Sequence, residues 1–475
     1  MDLATAPISW LAPRIAAREI SPVEVLDAVL ARIDRLEGAV HAYVTLDEAG
    51  AILAAREAER EIAAGAYRGP LHGIPVGIKD SIAVAGLPAT NGSPAMTRHV
   101  PAEDATSVAR LRAAGAVILG KHALHEWAMG GTCAVIPSGP VHNPWNLARV
   151  PGGSSGGSAA AVSSGLAAAA VGTDGWGSIR TPASYCGVVG LKPTRGLVSR
   201  RGEFPATTAW NNQMGPIART VADVRIMLEA LAGPDPRDPS SRTRPVGAST
   251  APVEARTLRV GLARTPLDSD IRPAVRTAVD RGASILAGLG ADVVEVSLPS
   301  LGHASLAIAS LGTEARHVLL PLALRADAPF GNPEIRLRVL AGELWTREDV
   351  RRAYVVAATI RAEIEATLAL VDVLLLPTNS TPAFPIGAER WTVGSGEVVE
   401  VNRTYGQGRV TTRLTLPFNY AGVPALSLPA PDLVDGMPVG IQLVGRPWED
   451  GRLLDVAALL EAEGAAWRPP AAVAF

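Results

Sequence analysis

The chain has 475 residues, 48% of them hydrophobic, and a net charge of −2. That length can bury a large core, as one very large domain or two to three ordinary ones. The near-balanced charge offers no basic footprint, so no nucleic-acid partner is expected. Two cysteines outside any CxxC pair, Cys133 and Cys186, exclude a disulfide framework and point to a reduced, cytoplasmic setting.

Asp2 and Arg14 interrupt the basic-then-apolar start that a secretory signal needs. Ser21-Pro22-Val23-Glu24 is a capping box with proline at the first helical position. Val25, Leu26, Val29, Leu30, Ile33 and Leu36 follow at helical spacing, and a second helix is predicted from about Asp47 to Ala64. Residues 1–65 therefore read as an N-terminal helical arm. From Gly69 to about Leu231, β-rich runs at Val76–Ile78, Ala116–Leu119 and Val188–Leu191 alternate with helices and glycine turns. This is the pattern of an α/β layered core, assigned to residues 66–233. The low-polarity run Gly157–Gly172 is too short for a bilayer span and reads as a buried helix, so no membrane partner is expected. Residues 234–254 repeat Pro, Arg, Ser and Asp without periodicity, as a linker or long surface loop does. Residues 255–475 carry strands at Leu258–Leu262, Val293–Val296 and Val373–Leu376 between long helices such as Arg347–Leu370. They read as an α/β part completing the same sheet.

Positive charge is unevenly divided. Of 44 lysine and arginine side chains only Lys79, Lys121 and Lys192 are lysines, all in the glycine- and serine-rich first 200 residues. A GC-rich genome produces such a bias without selection at each site. Chemically, though, a buried ammonium can lose its proton and act as a base, whereas a guanidinium stays charged. Lys79 ends the apolar run of His72-Gly73-Ile74-Pro75-Val76-Gly77-Ile78-Lys79-Asp80. Two further segments are rich in glycine and serine: Gly152–Ser158, and Gly172-Thr173-Asp174-Gly175-Trp176-Gly177-Ser178-Ile179-Arg180.

Amide hydrolysis needs a hydroxyl made nucleophilic by a base, fixed N–H donors for the oxyanion, and a proton for the leaving nitrogen. An unperturbed lysine is neutral only about once in a few thousand at pH 7. Burial at the end of an apolar strand lowers its pKa, which suits Lys79. No Ser-His-Asp set with a nucleophile elbow is visible, which leaves lysine as the best base on offer.

Together the three segments resemble the amidase signature family. The resemblance extends over most of the chain, through Asp104 to Gly130, Gly190–Thr194, Gly215–Thr220, Ala421–Ala425 and Pro438–Leu443. It implies an α/β fold with a large mixed β-sheet core flanked by helices on both faces, the C-terminal half closing over the site. It also implies a Ser–cis-Ser–Lys triad. Matched motif to motif, Ser178 corresponds to the nucleophile, Ser154 to the bridging serine held by a cis peptide bond, and Lys79 to the base. The backbone of Gly175, Trp176 and Gly177 corresponds to the oxyanion hole. The substrate pocket is assigned to Met129, Gly130, Gly131 and Trp176, on loops including Met129–Cys133 and Thr208–Gln213.

Two positions depart from the family pattern. Trp176 replaces the earlier of two glycines before the nucleophile, a strained choice if that position needs a positive φ; its indole would wall the acyl pocket and favour apolar or aromatic substrates. His122-Ala123 stands where relatives usually carry Thr-Asn. The expected activity is cofactor-independent hydrolysis of small-molecule amides, carbamates or aryl acylamides through an acyl-enzyme, in a homodimer on base rates. Three rivals stand beside it: the amidase subunit of a tRNA-dependent amidotransferase, which needs partner subunits; a urea- or allophanate-type hydrolase; and a catalytically inactive binding module.

Other motifs carry less. Gly115 to Lys121 nearly spells a phosphate-binding loop, but His122 stands where Ser or Thr is required and the intervening residues form a buried strand. His122, His125, Glu126 and His142 match no standard metal-ligand spacing, so no metal is expected. Lys121 and Lys192 read as structural anchors, and Asp174 and Arg180 as support for the nucleophile.

Overall fold

A computed structural model describes residues 2–203, 210–242, 253–325, 327–401 and 408–473. In chain order its strands are β1 (Tyr43–Leu46), β2 (Pro75–Lys79), β3 (Val117–His122), β4 (Ala169–Asp174), β5 (Val189–Lys192), β6 (Gln213–Ala218), β7 (Arg259–Arg264), β8 (Asp292–Ser297), β9 (Val373–Pro377), β10 (Arg390–Thr392), β11 (Val398–Glu400), β12 (Ala425–Pro429) and β13 (Gly440–Gly445). Eleven of them form one mixed sheet in the order β1-β3-β2-β4-β6-β5-β12-β13-β9-β7-β8, and β10 and β11 make a separate pair. β3, β2 and β4 run parallel at one end, as do β9, β7 and β8 at the other, with antiparallel pairs between them. β5 pairs with β12, so strands from both sides of residues 234–254 share this sheet; residues 243–252 of that segment lie outside the described residues.

The sheet is apolar on both faces because its strands alternate between two cores. Ile118, Ala169 and Val171 enter a large core with Leu228 and Leu231 of the helix Val221–Leu231, while Val117, Leu119 and Ala170 meet Ala159–Val162 and the helix Pro22–Val40 on the other face. That N-terminal helix begins as its sequence dictates. Ser21 accepts from the Val23 amide at 3.0 Å, while Glu24 accepts from the Ser21 amide at 2.8 Å.

The Ala-rich run is a correction. Only Gly156–Ser164 is helical; Gly165, at φ 73°, ends that helix in the left-handed region, and Ala169–Asp174 continues as β4. Glycine supplies that turn without a Cβ penalty, and alanine packs equally well in the tightly covered strand that follows.

Candidate active site

β2 and β4 are parallel neighbours, with Ile78 opposite Val171, and this places Lys79 beside Thr173. Lys79 is fully buried, and its Nζ donates to Ser154 Oγ at 2.7 Å and to Thr173 Oγ1 at 2.8 Å. Burial, opposed by the charges of Glu203, Cys133 and Asp174, brings its pKa down to about 8.

Ser154 sits in the turn before the helix Gly156–Ser164, and the Gly153–Ser154 peptide bond is cis. The turn is made by close backbone approach. A Cβ on Gly152 would lie 2.8 Å from Pro182 Cα, and one on Gly153 would lie 2.9 Å from the Gly130 carbonyl oxygen. The Ser154 carbonyl accepts from the His125 amide at 3.1 Å. The Ser155 amide donates to the Ser178 carbonyl at 3.1 Å, which draws the second serine segment against the first. Ser178, nearly buried, precedes the helix Arg180–Cys186. Its hydroxyl makes no hydrogen bond among the described residues, so the structure joins Lys79 to Ser154 by side chains and Ser178 to the pair through backbone.

Asp174 ends β4 and organises the loop that follows. It accepts from the amides of Gly177 (2.8 Å), Ile179 (3.1 Å) and Arg180 (3.3 Å), from Arg180 Nη2 at 2.8 Å and Nε at 3.0 Å, and from Asn419 Nδ2 at 3.0 Å. Burial pushes this carboxyl up, but the Arg180 charge and these hydrogen bonds outweigh it and hold Asp174 well below the usual carboxylate range. Arg180 reaches onward to the Thr415 carbonyl at 2.9 Å, Gln442 Oε1 at 2.8 Å and Asn419 Oδ1 at 2.6 Å. Asn211 Nδ2 donates to the Gly175 carbonyl at 2.8 Å.

The three residues assigned to the oxyanion hole are not equivalent. The Gly177 amide is engaged by Asp174, while the amides of Gly175, Trp176 and Ser178 donate to nothing among the described residues. Trp176 does not adopt a positive φ; that demand falls on Gly177, at 119°. The expected backbone strain at Trp176 is therefore absent, and its Cα sits in ordinary territory. Its carbonyl accepts from Thr415 Oγ1 at 2.6 Å, and the Arg338 guanidinium lies 5.6 Å over its ring.

Met129, Gly130 and Gly131 lie on the same side. Arg338 also donates to the Met129 carbonyl, a Cβ on Gly130 would run into the His125 ring, and one on Gly131 would meet Thr411 Oγ1 at 2.6 Å. Of the loop Thr208–Gln213, Thr208 and Ala209 lie outside the described residues.

The histidines and Glu126 do not converge. His122 closes over Gly77, edge-on to Tyr43 at 4.5 Å, and both its ring nitrogens are buried without partners among the described residues, so burial takes its pKa down to about 3. His125 Nδ1 accepts from the Cys133 amide at 3.2 Å, Glu126 accepts from the Gly331 and Asn332 amides, and His142 Nδ1 meets the Leu147 carbonyl at 2.6 Å. Lys121 pairs with Asp80 at 3.0 Å, and Lys192 donates to the carbonyls of Pro193 and Val423. Cys133 and Cys186 are buried free thiols. Thr173, Asn211, Thr415 and Asn419 escaped sequence reasoning. Thr173 and Asn211 had a signal, each lying inside a segment already noted, Gly172–Arg180 and Thr208–Gln213.

A family model described as Amidase matches residues 24–454. The chain thus belongs to the amidase signature family, whose members hydrolyse C–N bonds, and the large mixed sheet is that family's fold. A glutamyl-tRNA(Gln) amidotransferase subunit from Roseiflexus castenholzii is 40% identical over 468 residues, covering 93% of this chain and 92% of the relative. A chain solved within "an unexpected vestigial protein complex" that reveals the origins of an s-triazine catabolic enzyme superposes at TM-score 0.88 with 31% identity, over 97% of this chain and 99% of its own. The peptide amidase of Stenotrophomonas maltophilia superposes at 0.82 with 31% identity over 98% of both chains.

These likenesses correct the expectation of a small-molecule substrate and no nucleic-acid partner, since the curated relative is named as one component of an enzyme of glutamyl-tRNA(Gln). Net charge was a poor guide because it averages over the whole surface, and a bulky substrate can be gripped elsewhere in an assembly. Among the described residues no helix is long and apolar enough to cross a membrane.

Proposed function

We propose that this chain is the amidase subunit of a tRNA-dependent glutamine amidotransferase, releasing ammonia from an amide through an acyl-enzyme on Ser178. One observation carries the chemistry: a fully buried amine, with its pKa brought down to about 8, in contact with Ser154 Oγ at 2.7 Å. The neutral Lys79 takes the Ser154 proton as Ser154 takes that of Ser178, whose oxygen then attacks the amide carbon. The free amides of Gly175, Trp176 and Ser178 serve the oxyanion, and Gly177 keeps the loop on Asp174 instead. The ammonium of Lys79 returns its proton to the leaving nitrogen through Ser154.

The choice of acceptor rests on the relative that is 40% identical along nearly its whole length. The test is reconstitution with candidate partner subunits from the same genome, followed by glutamine-dependent conversion of glutamyl-tRNA(Gln). Conversion lost in Ser178→Ala supports the reading. Its absence from a correctly assembled complex overturns it.

A second reading, a self-sufficient amidase for small amides, aryl acylamides or carbamates, is favoured by Trp176. Its indole presents an apolar wall beside the assigned nucleophile. Unaided turnover of such substrates, with no transamidation, selects this alternative.

A further inference from the structure

Glu126 is a fully buried acid that the proposed chemistry leaves unused. Its carboxylate reaches a segment 205 positions further along the chain. Oε1 accepts from the Gly331 amide at 3.0 Å, and Oε2 accepts from the Asn332 amide at 2.6 Å. Asn332 is the N-cap of the helix Pro333–Ala341, where its side chain accepts from the Glu334 amide at 3.0 Å. A carboxylate gripped by two amides at a helix start is a directional tether, because each bond is charge-assisted and the helix dipole favours an anion there.

The tether holds the loop that carries the assigned substrate pocket. Trp127 and Ala128, next in the chain, sit at φ 55° and 56°, a left-handed pair without glycine that persists only where its surroundings fix it. The Trp127 amide donates to the Asn91 carbonyl at 2.9 Å, and its side chain shares an apolar cluster with Leu319, Ala323, Ile335 and Val339. Further along the tethered helix, Arg338 donates to the Met129 carbonyl and lies 5.6 Å over the Trp176 ring. The helix Pro333–Ala341 therefore meets this loop at both ends, through Glu126 at its start and Met129 near its last turn. His125 is held separately: its amide is on the Ser154 carbonyl at 3.1 Å, and its Nδ1 accepts from the Cys133 amide at 3.2 Å.

We propose that Glu126 is a positioning residue for substrate binding: it fixes the helix Pro333–Ala341 against the loop 126–131, so that Arg338 and Trp176 form one wall of the acyl pocket. This rests on the amide-hydrolysing site proposed above. Glu126 takes no part in proton transfer or bond making, and it acts through Arg338. Releasing the tether loosens that wall and weakens substrate binding, while Lys79 and Ser154 stay in contact because His125 keeps its own hold on the Ser154 carbonyl.

Glu126→Gln keeps the shape but turns an NH2 group towards one of the two amide donors, which breaks half of the grip. In ammonia release from a primary amide, by this chain or its reconstituted assembly, KM is expected to rise roughly tenfold with kcat within about twofold of the parent. Arg338→Met should do the same. The double variant should be no worse than the worse single one, since both remove one wall, whereas independent effects would multiply to roughly a hundredfold. A role in folding alone would lower the thermal midpoint and the active fraction, hence kcat, and leave KM where it was. An unchanged KM, a fall in kcat alone, or effects that multiply overturn the proposal. Should Glu126→Gln not fold, Glu126→Asp, which keeps the charge one methylene short of its donors, takes its place in the same cycle with the same expected outcomes. Ser178→Ala separates the two ideas. Parental ammonia release in that variant removes the proposed site itself, whereas an inactive Ser178→Ala beside multiplying Glu126 and Arg338 effects removes only the tether.

Discussion

The protonation state of Lys79 makes the sharpest prediction, because it turns a burial into a rate. Its ordinary value of 10.5 falls to about 8 in the folded chain, chiefly through loss of hydration. At pH 7 that leaves about one molecule in eleven with a neutral amine, against about one in three thousand for an exposed lysine, a gain of roughly 300-fold. As the proposed base, Lys79 works only when neutral, so activity is expected above the folded pKa and lost as pH falls through it. We expect kcat/KM to fall about tenfold per pH unit below pH 7 and to level off above about pH 8.5. Among the neighbouring groups, Asp174 and His125 titrate below that window, and Cys133, at about 11, above it. The assay is ammonia release from a primary amide at low substrate, from pH 5.5 to 9.5, with the protein shown folded at both ends by circular dichroism. A profile flat from pH 6 to 9, or one rising only beyond pH 10, refutes the assignment of a desolvated lysine as the base.

Gly177→Ala should cost at least about 100-fold in kcat, because the new Cβ would overlap Thr415 Oγ1 and the backbone sits at φ 119°, so the nucleophile loop must move. Adding Thr415→Ala should not restore the rate, since the backbone strain persists; full recovery in the double variant would contradict this. Asp174→Asn should destabilise the fold by about 3–5 kcal/mol in urea unfolding, as it strips the anion from a fully buried Arg180 and turns an amide group towards N–H donors. A change under about 1 kcal/mol would show that the pair is dispensable. Trp176→Gly should shift preference away from anilides and towards small primary amides, read as the ratio of their kcat/KM values; an unchanged ratio means the indole does not border the acyl site.

Legibility in the sequence followed locality. The capping box at Ser21–Glu24 forms as predicted, and the apolar runs at Val76–Ile78, Val293–Val296 and Val373–Leu376 became strands extended by one or two residues. β4 was hidden because alanine suits a helix and a crowded strand alike, and only Gly165 marked the break. β1 is four half-buried residues with little contrast between its faces. At the site, Lys79 and Ser154 were readable because each sits in a distinctive short segment. Asn419 was not. It reaches Asp174 from 245 positions away, and Gln442 reaches Arg180 from 262, through contacts that leave no periodic trace in the chain. The tRNA-linked likeness was equally hidden from a composition that reports only a near-zero net charge.

The three lysines differ in a way that bears on the proposed chemistry. All three are fully buried, at interior positions where a point charge on a flexible stem differs from a guanidinium. Their partners divide them. Lys121 faces the Asp80 carboxylate at 3.0 Å and backbone carbonyls; burial lowers its pKa and Asp80 opposes that, but no hydroxyl among the described residues is there to give a proton. Lys192 donates to the carbonyls of Pro193 and Val423, which accept hydrogen bonds but have no proton to give. Lys79 alone is held between two hydroxyls, Ser154 and Thr173, and a hydroxyl can both accept from the amine and yield a proton to it. With Thr173 occupying one N–H, the lone pair of a neutral amine is left to face the Ser154 hydroxyl. An arginine in the same place would match the charge but never offer that lone pair. Burial makes the amine available; the choice of its two neighbours gives it something to do.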